Sequence, residues 1–148
     1  MILHYKCKNL QDPSIFFHSH ASGEGNIIFT SGMVSRKNEE TGLNIGVSMI
    51  PLKEGNEVYH HEIELQFKDI IFQLKNICEE IGIDKHNLIE HILETKVFIV
   101  DVKKYFQKFN KCYGEWMGKR NSYPARTTIG VSDLPSNVVL EMSFVLSN

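Results

Sequence analysis

Residues 92–117 read ILETKVFIVDVKKYFQKFNKCYGEWM, and this stretch decides the fold. Val97, Phe98, Ile99 and Val100 form a short apolar run rich in β-formers, the mark of a buried strand. Asp101 follows at once and suits a helix N-cap. Tyr105, Phe106, Phe109, Tyr113, Trp116 and Met117 then recur at helical spacing, and the pattern stops near Gly118. A buried strand feeding an amphipathic helix is a building unit of helix-on-sheet domains.

Working toward the N-terminus, residues 61–81 carry Ile63, Phe67, Ile70, Ile71, Leu74, Ile77, Cys78 and Ile81. Steps of three and four predict one continuous helix face, ended by Gly82. His60-His61 falls at the predicted helix start and is expected to be exposed. Asp84 and Asn87 suit a turn before Leu88. Residues 1–58 read as short strands and turns. The run NIIFTS at 26–31 follows the turn signal Gly23-Glu24-Gly25. Polar residues 36–46 form a loop, and 47–52 read as a further short strand.

Toward the C-terminus, 126–131 (RTTIGV) is β-branched, Leu134-Pro135-Ser136-Asn137 is a turn, and 138–146 is strand again. The predicted order is β-β-(β)-α-β-α-β-β, an α+β class with both helices on one face of a mixed sheet. The other face needs a cover, and further copies of the chain are the simplest one.

At 148 residues, one domain spanning 1–148 is expected. The 42% hydrophobic and 23% charged composition excludes the disordered and low-complexity classes. A net charge of −2 argues against bulk electrostatic binding of nucleic acid. No apolar run of about 18 residues occurs, so no membrane helix is expected. Residues 1–7 do not read as a secretory signal. Cys7, Cys78 and Cys112 are odd in number and far apart, which fits a reducing, cytoplasmic setting. Cys78 sits in the apolar helix pattern and reads as a small buried hydrophobe.

The chain has no P-loop, no GxGxxG, no HExxH and no GxSxG. His18 and His20, two apart, would point the same way on a strand, so zinc is conceivable. The alternative is local hydrogen bonding, favoured because no carboxylate or cysteine nearby completes a ligand set. Arg126 opens a strand after Tyr123-Pro124-Ala125. It could fork onto a ligand carboxylate or form a structural salt bridge, and physics alone favours the salt bridge. Glu141 lies within the apolar run 138–144. By alternation it faces with Val139 and Ser143, away from Leu140, Met142 and Phe144. It is either a solvated or paired carboxylate or a general acid/base.

These residues carry a resemblance. Residues 123–131 (YPARTTIGV), then Leu134-Pro135 and Leu140-Glu141-Met142, resemble the C-terminal signature of the Rid (YjgF/L-PSP) family of reactive intermediate deaminases. Ser19-His20-Ala21 with 26–32, Leu74-Lys75-Asn76-Ile77, and 97–101 with Phe106, Asn110 and Tyr113 match further blocks in order, from about Phe17 onward. The resemblance implies a chorismate-mutase-like (YjgF-like) α+β fold and a homotrimer with a central β-barrel. It places active sites in the inter-subunit clefts. The implied activity is hydrolysis of enamines and imines such as 2-aminoacrylate to 2-keto acids and ammonia, with no cofactor and no metal.

By the same resemblance, Arg126 clamps the substrate carboxylate, helped by the backbone N–H at Thr128. Glu141 orients the attacking water. Ser31 and Gly32 line the cleft, and Asn110 lies near it. His18 stands where the family commonly has a pocket tyrosine, Met33 where it has glutamine, and Asp69-Ile70 where a glutamine–threonine pair is common. The long loop 33–51 and residues 31–36 (SGMVSR) are similar to the 2-aminomuconate deaminase branch. A non-catalytic trimeric ligand-binding or regulatory protein is a third reading. A ribonuclease or translation inhibitor, the name some relatives carry, is disfavoured by the near-neutral charge.

Overall fold

The computed structural model describes residues 1–16 and 18–148, with the side chains of Ile15 and Phe16 left undescribed. Phe17, where the family pattern begins, lies outside the described residues. The strands are β1 (Leu3–Tyr5), β2 (Ala21–Glu24), β3 (Ile27–Thr30), β4 (Met33–Val34), β5 (Val47–Pro51), β6 (Glu57–His61), β7 (Ile92–Val100), β8 (Ala125–Val131) and β9 (Leu140–Ser147). The helices are α1 (Ile63–Glu80) and α2 (Val102–Met117). The main sheet runs β1-β2-β3-β9-β7-β8, and β4 also pairs with β9. Among the described residues only β7 and β8 pair in parallel, so the sheet is mixed, as expected. β5 and β6 form a separate two-stranded ribbon.

All eight apolar positions of the predicted first helix face are buried, and Ile70, Leu74 and Cys78 are fully enclosed. Burial pushes the Cys78 thiol up to about 12, which keeps it an inert hydrophobe. The helix ends in a Schellman motif. Gly82 sits at φ +82°, its N–H reaches the Glu79 carbonyl, and the Ile83 N–H reaches Cys78. Both helices cover the sheet face that carries Leu140, Met142, Phe144 and Leu146. Trp116 joins the layers, edge-on to Phe67 at 5.9 Å and to Phe144 at 6.2 Å. The opposite sheet face, with Phe29, Ile27 and Ile129, is exposed in the single chain.

Four expectations need correction. His60 and His61 end strand β6, and the helix begins only at Ile63. Asp101 holds the N-cap position but in the left-handed region (φ 51°), and its side chain makes no cap bond. Its carbonyl accepts from Lys104 and Tyr105 instead. Phe106 faces outward, because the apolar stripe of α2 is narrower than its aromatic content. Gly23 and Glu24 belong to β2, so the turn is Gly25-Asn26 alone, with Gly25 at φ +60°.

Candidate functional site

Arg126 and Thr128 lie on β8, an edge strand whose outer side leaves backbone groups unpaired. Arg126 is level with Thr95 on β7 and points to the helix-covered face. Its Nη1 donates to Asn110 Oδ1 on α2 at 2.9 Å. Its guanidinium stands 4.8 Å over the Tyr113 ring. Tyr113 is buried and donates its hydroxyl to Thr95 Oγ1 at 3.2 Å, which fixes the ring under the arginine. Thr128 is level with Val97 on the same side, and its buried Oγ1 has no hydrogen-bond partner among the described residues. Thr95 was not singled out from the sequence, and Tyr113 was matched to a family block without a place in the candidate site. The signal was present, since Asn110 and Tyr113 are one helical turn apart and share a face.

Arg36, Arg120 and Arg126 are the arginines of the chain. Arg36 forks onto the Asp69 carboxylate, with Nε at 2.9 Å and Nη2 at 2.6 Å, and Arg120 pairs with Glu90 at 2.9 Å. Arg126 has no acidic partner among the described residues. It is held by a neutral amide and aromatic faces, which leaves the salt-bridge alternative unsupported.

Glu141 belongs to a second group. It is half-buried on β9, opposite Phe98 of β7 and Val34 of β4. A Cβ on Gly32 would overlap its Oε1, so any larger residue there must push the carboxylate from this position. Burial pushes the Glu141 carboxyl up from its ordinary value, and no ion pair or hydrogen bond offsets this among the described residues. Gly32 lies at a break in the ladder. From Phe29–Val145 to Met33–Met142 the chain takes four steps against three on β9, so one residue is extra. Thr30 Oγ1 bridges the break by accepting the Phe144 N–H at 2.9 Å. Gln66, fully enclosed on α1, accepts the Val139 and Leu140 N–H groups and anchors the start of β9.

A cleft of about 290 Å³ opens beside the break, with His18, Ser31 and Gly32 among its walls. Ser31 donates its hydroxyl to the Ser19 carbonyl. His18 is exposed, with Nδ1 3.2 Å from that carbonyl. His20 spends both ring nitrogens on backbone. Nδ1 accepts the Cys7 N–H at 2.8 Å and Nε2 faces the Gln11 carbonyl at 3.0 Å. Burial pushes its pKa down. The local hydrogen-bonding alternative therefore describes His20. Arg36, the last residue of the 31–36 match, is committed to Asp69 and not free for a ligand.

The candidate residues thus separate: Arg126, Thr128 and Asn110 form one group, and Gly32 meets Glu141 on one hand and lines the cleft with Ser31 and His18 on the other. A family model described as Endoribonuclease L-PSP matches residues 11–146. The chain belongs to this family. It is the Rid family, and other members frame the match. A RutC family protein of Pyrococcus abyssi is 30% identical over 86% of this chain and 84% of its own length. The mitochondrial protein MMF1 of Saccharomyces cerevisiae is 26% identical over 92% of this chain and 78% of its own. The crystal structure of YyfA of Yersinia pestis, a protein of the conserved Rid family, superposes with a TM-score of 0.76, 22% identity and full coverage of both chains. Among the described residues of this Rid protein, no helix is long and apolar enough to cross a membrane.

Proposed function

We propose that this Rid-family chain is a hydrolytic deaminase of reactive enamines and imines of the 2-aminoacrylate type. Its products would be a 2-keto acid and ammonia. The observation that carries this reading is Arg126, a pre-positioned guanidinium with no carboxylate partner among the described residues. Such a group suits a substrate carboxylate, which it can bind by two parallel N–H···O bonds.

Glu141 supplies the second function. Burial raises the pKa of this half-buried carboxyl, which makes it a better proton acceptor and donor than a solvated glutamate. Water attacks the imine carbon as the C=N pair moves onto nitrogen. Glu141 takes the water proton and delivers it to the nitrogen. The resulting carbinolamine loses ammonia as its hydroxyl proton passes back through Glu141, leaving a keto group and the original carboxylate. An imine is already electrophilic, so positioning plus one carboxylate suffices.

Arg126 and Glu141 face opposite sides of one sheet with β7 between them. This separation favours a site completed between copies, with Arg126 from one and Glu141 from its neighbour. The exposed Phe29, Ile27 and Ile129 face favours the homotrimer as that assembly. The net charge of −2 speaks against the ribonuclease of the family's description.

The test is release of ammonia and pyruvate from 2-aminoacrylate generated in situ, wild type beside Arg126→Ala. Acceleration by the wild type that disappears in the variant is expected. No acceleration, or equal rates, would overturn the assignment and make 2-aminomuconate the next compound.

A further inference from the structure

On the outer surface of the two helices lies a groove of about 420 Å³, remote in sequence from the β8 and β9 residues considered above. That size falls in the range of about 300–1,000 Å³ usual for small-molecule sites. Its floor is apolar, built from Phe67, Ile71 and Trp116, with Phe72 half-exposed at the side. A second, polar cavity of about 230 Å³ adjoins it, and Lys75 and Trp116 border both. Lys85, His86 and Arg120 belong to the polar cavity.

The charges along this surface do not cancel. Glu64 faces Lys108 at 4.0 Å, Glu115 faces Lys111 at 3.9 Å, and Glu90 and Glu79 are taken by Arg120 and Lys85. Lys68 and Lys75, two turns apart on one face of α1, have no acidic partner among the described residues. Positive charge therefore remains over an apolar floor. A polyanion would use the lysines and waste the floor, and a neutral apolar ligand would do the reverse.

We propose that this groove binds a small amphiphilic organic anion, a carboxylate with an aliphatic body. The body lies on Phe67, Ile71 and Trp116, and the carboxylate sits at Lys75, where the apolar and polar cavities meet. The long lysine stem adds apolar cover while its ammonium reaches the anion. This site is independent of the deaminase reading.

Trp116 is the single tryptophan of the chain, so its emission reports on the groove directly. The full-length protein is titrated with decanoate below its micelle-forming concentration, with decanol and acetate alongside. A saturable change at one decanoate per chain is expected, with neither control saturating in that range. Lys75→Glu, at an exposed position, should weaken decanoate binding tenfold or more while leaving the thermal midpoint and deaminase rate unchanged. Phe72→Ser should weaken it as well. No saturable change, or equal binding of decanoate and decanol that Lys75→Glu leaves intact, would overturn the proposal.

Discussion

Arg126 is level with Thr95 of β7, and Glu141 is level with Phe98 of the same strand. Thr95 and Phe98 are three residues apart, an odd number, so the two side chains leave the sheet on opposite faces. Strand spacing and rise put their Cα atoms about 14 Å apart. One small imine cannot span that distance around a sheet. Each half of the proposed site is therefore built and incomplete within one chain.

Arg126→Ala should lower kcat/KM by at least about tenfold to hundredfold, the worth of one charge-assisted pair. Arg126→Lys should recover little, because an ammonium cannot form the fork. Arg126 is exposed and holds no ion pair among the described residues, so both variants should melt within a few degrees of wild type. Thermal denaturation beside the rate assay separates the two effects. A large loss of stability would make Arg126 structural.

Glu141→Gln should cut kcat by about 10²–10⁴, the usual range for a general acid/base. Its effect on stability has the opposite sign. Burial raises the folded-state pKa above the ordinary 4.5, so the folded chain binds this proton more tightly than the unfolded chain. The associated stability is present below that ordinary value and is lost as pH rises through the raised one. The glutamine variant should therefore melt above wild type at pH 7 and lose that advantage near pH 4. Melting curves at the two pH values check this.

Gly32→Ala should act through Glu141, since the added methyl meets the carboxylate oxygen. Gly32 is not at a positive φ, so backbone strain does not enter. A fall in kcat approaching that of Glu141→Gln is expected, with substrate KM less affected. A rate equal to wild type would show that the carboxylate yields without consequence.

His20 ties residues 7 and 11 to the start of β2 while its ring is neutral. Protonation of Nδ1 would end the bond from Cys7. Because burial lowers this pKa, the unfolded chain takes up the proton first, and stability falls as pH drops below about 6.5. Hydrogen exchange at the Cys7 amide, corrected for intrinsic rate, should show less protection at pH 5.5 than at 7.5. His20→Gln should remove the difference.

The helices were legible because each buries one face, and period 3.6 needs no knowledge of the rest of the chain. All eight positions of the face read from the sequence are buried, seven in α1 and Ile81 at its C-cap. β6 escaped because Glu57–His61 is exposed along nearly its whole length, and an alternating pattern requires one buried face. Asp101 was placed at the right boundary, but its left-handed backbone comes from the tight β7–α2 junction. Arg126 and Glu141 were legible as chemical types in unusual surroundings. Their opposed directions depend on register through Thr95 and Phe98, a non-local property. The Arg36–Asp69 fork, across 33 residues, was invisible for the same reason.

The most direct test of the shared site is subunit mixing. Arg126→Ala and Glu141→Gln chains are unfolded together, refolded at equal concentration, and assayed for ammonia release from 2-aminoacrylate. If Arg126 and Glu141 come from neighbouring copies in a closed ring, random assembly restores both residues at about one site in four. Activity should then rise to about a quarter of wild type. A mixture no more active than its separate components would contradict a site shared between chains.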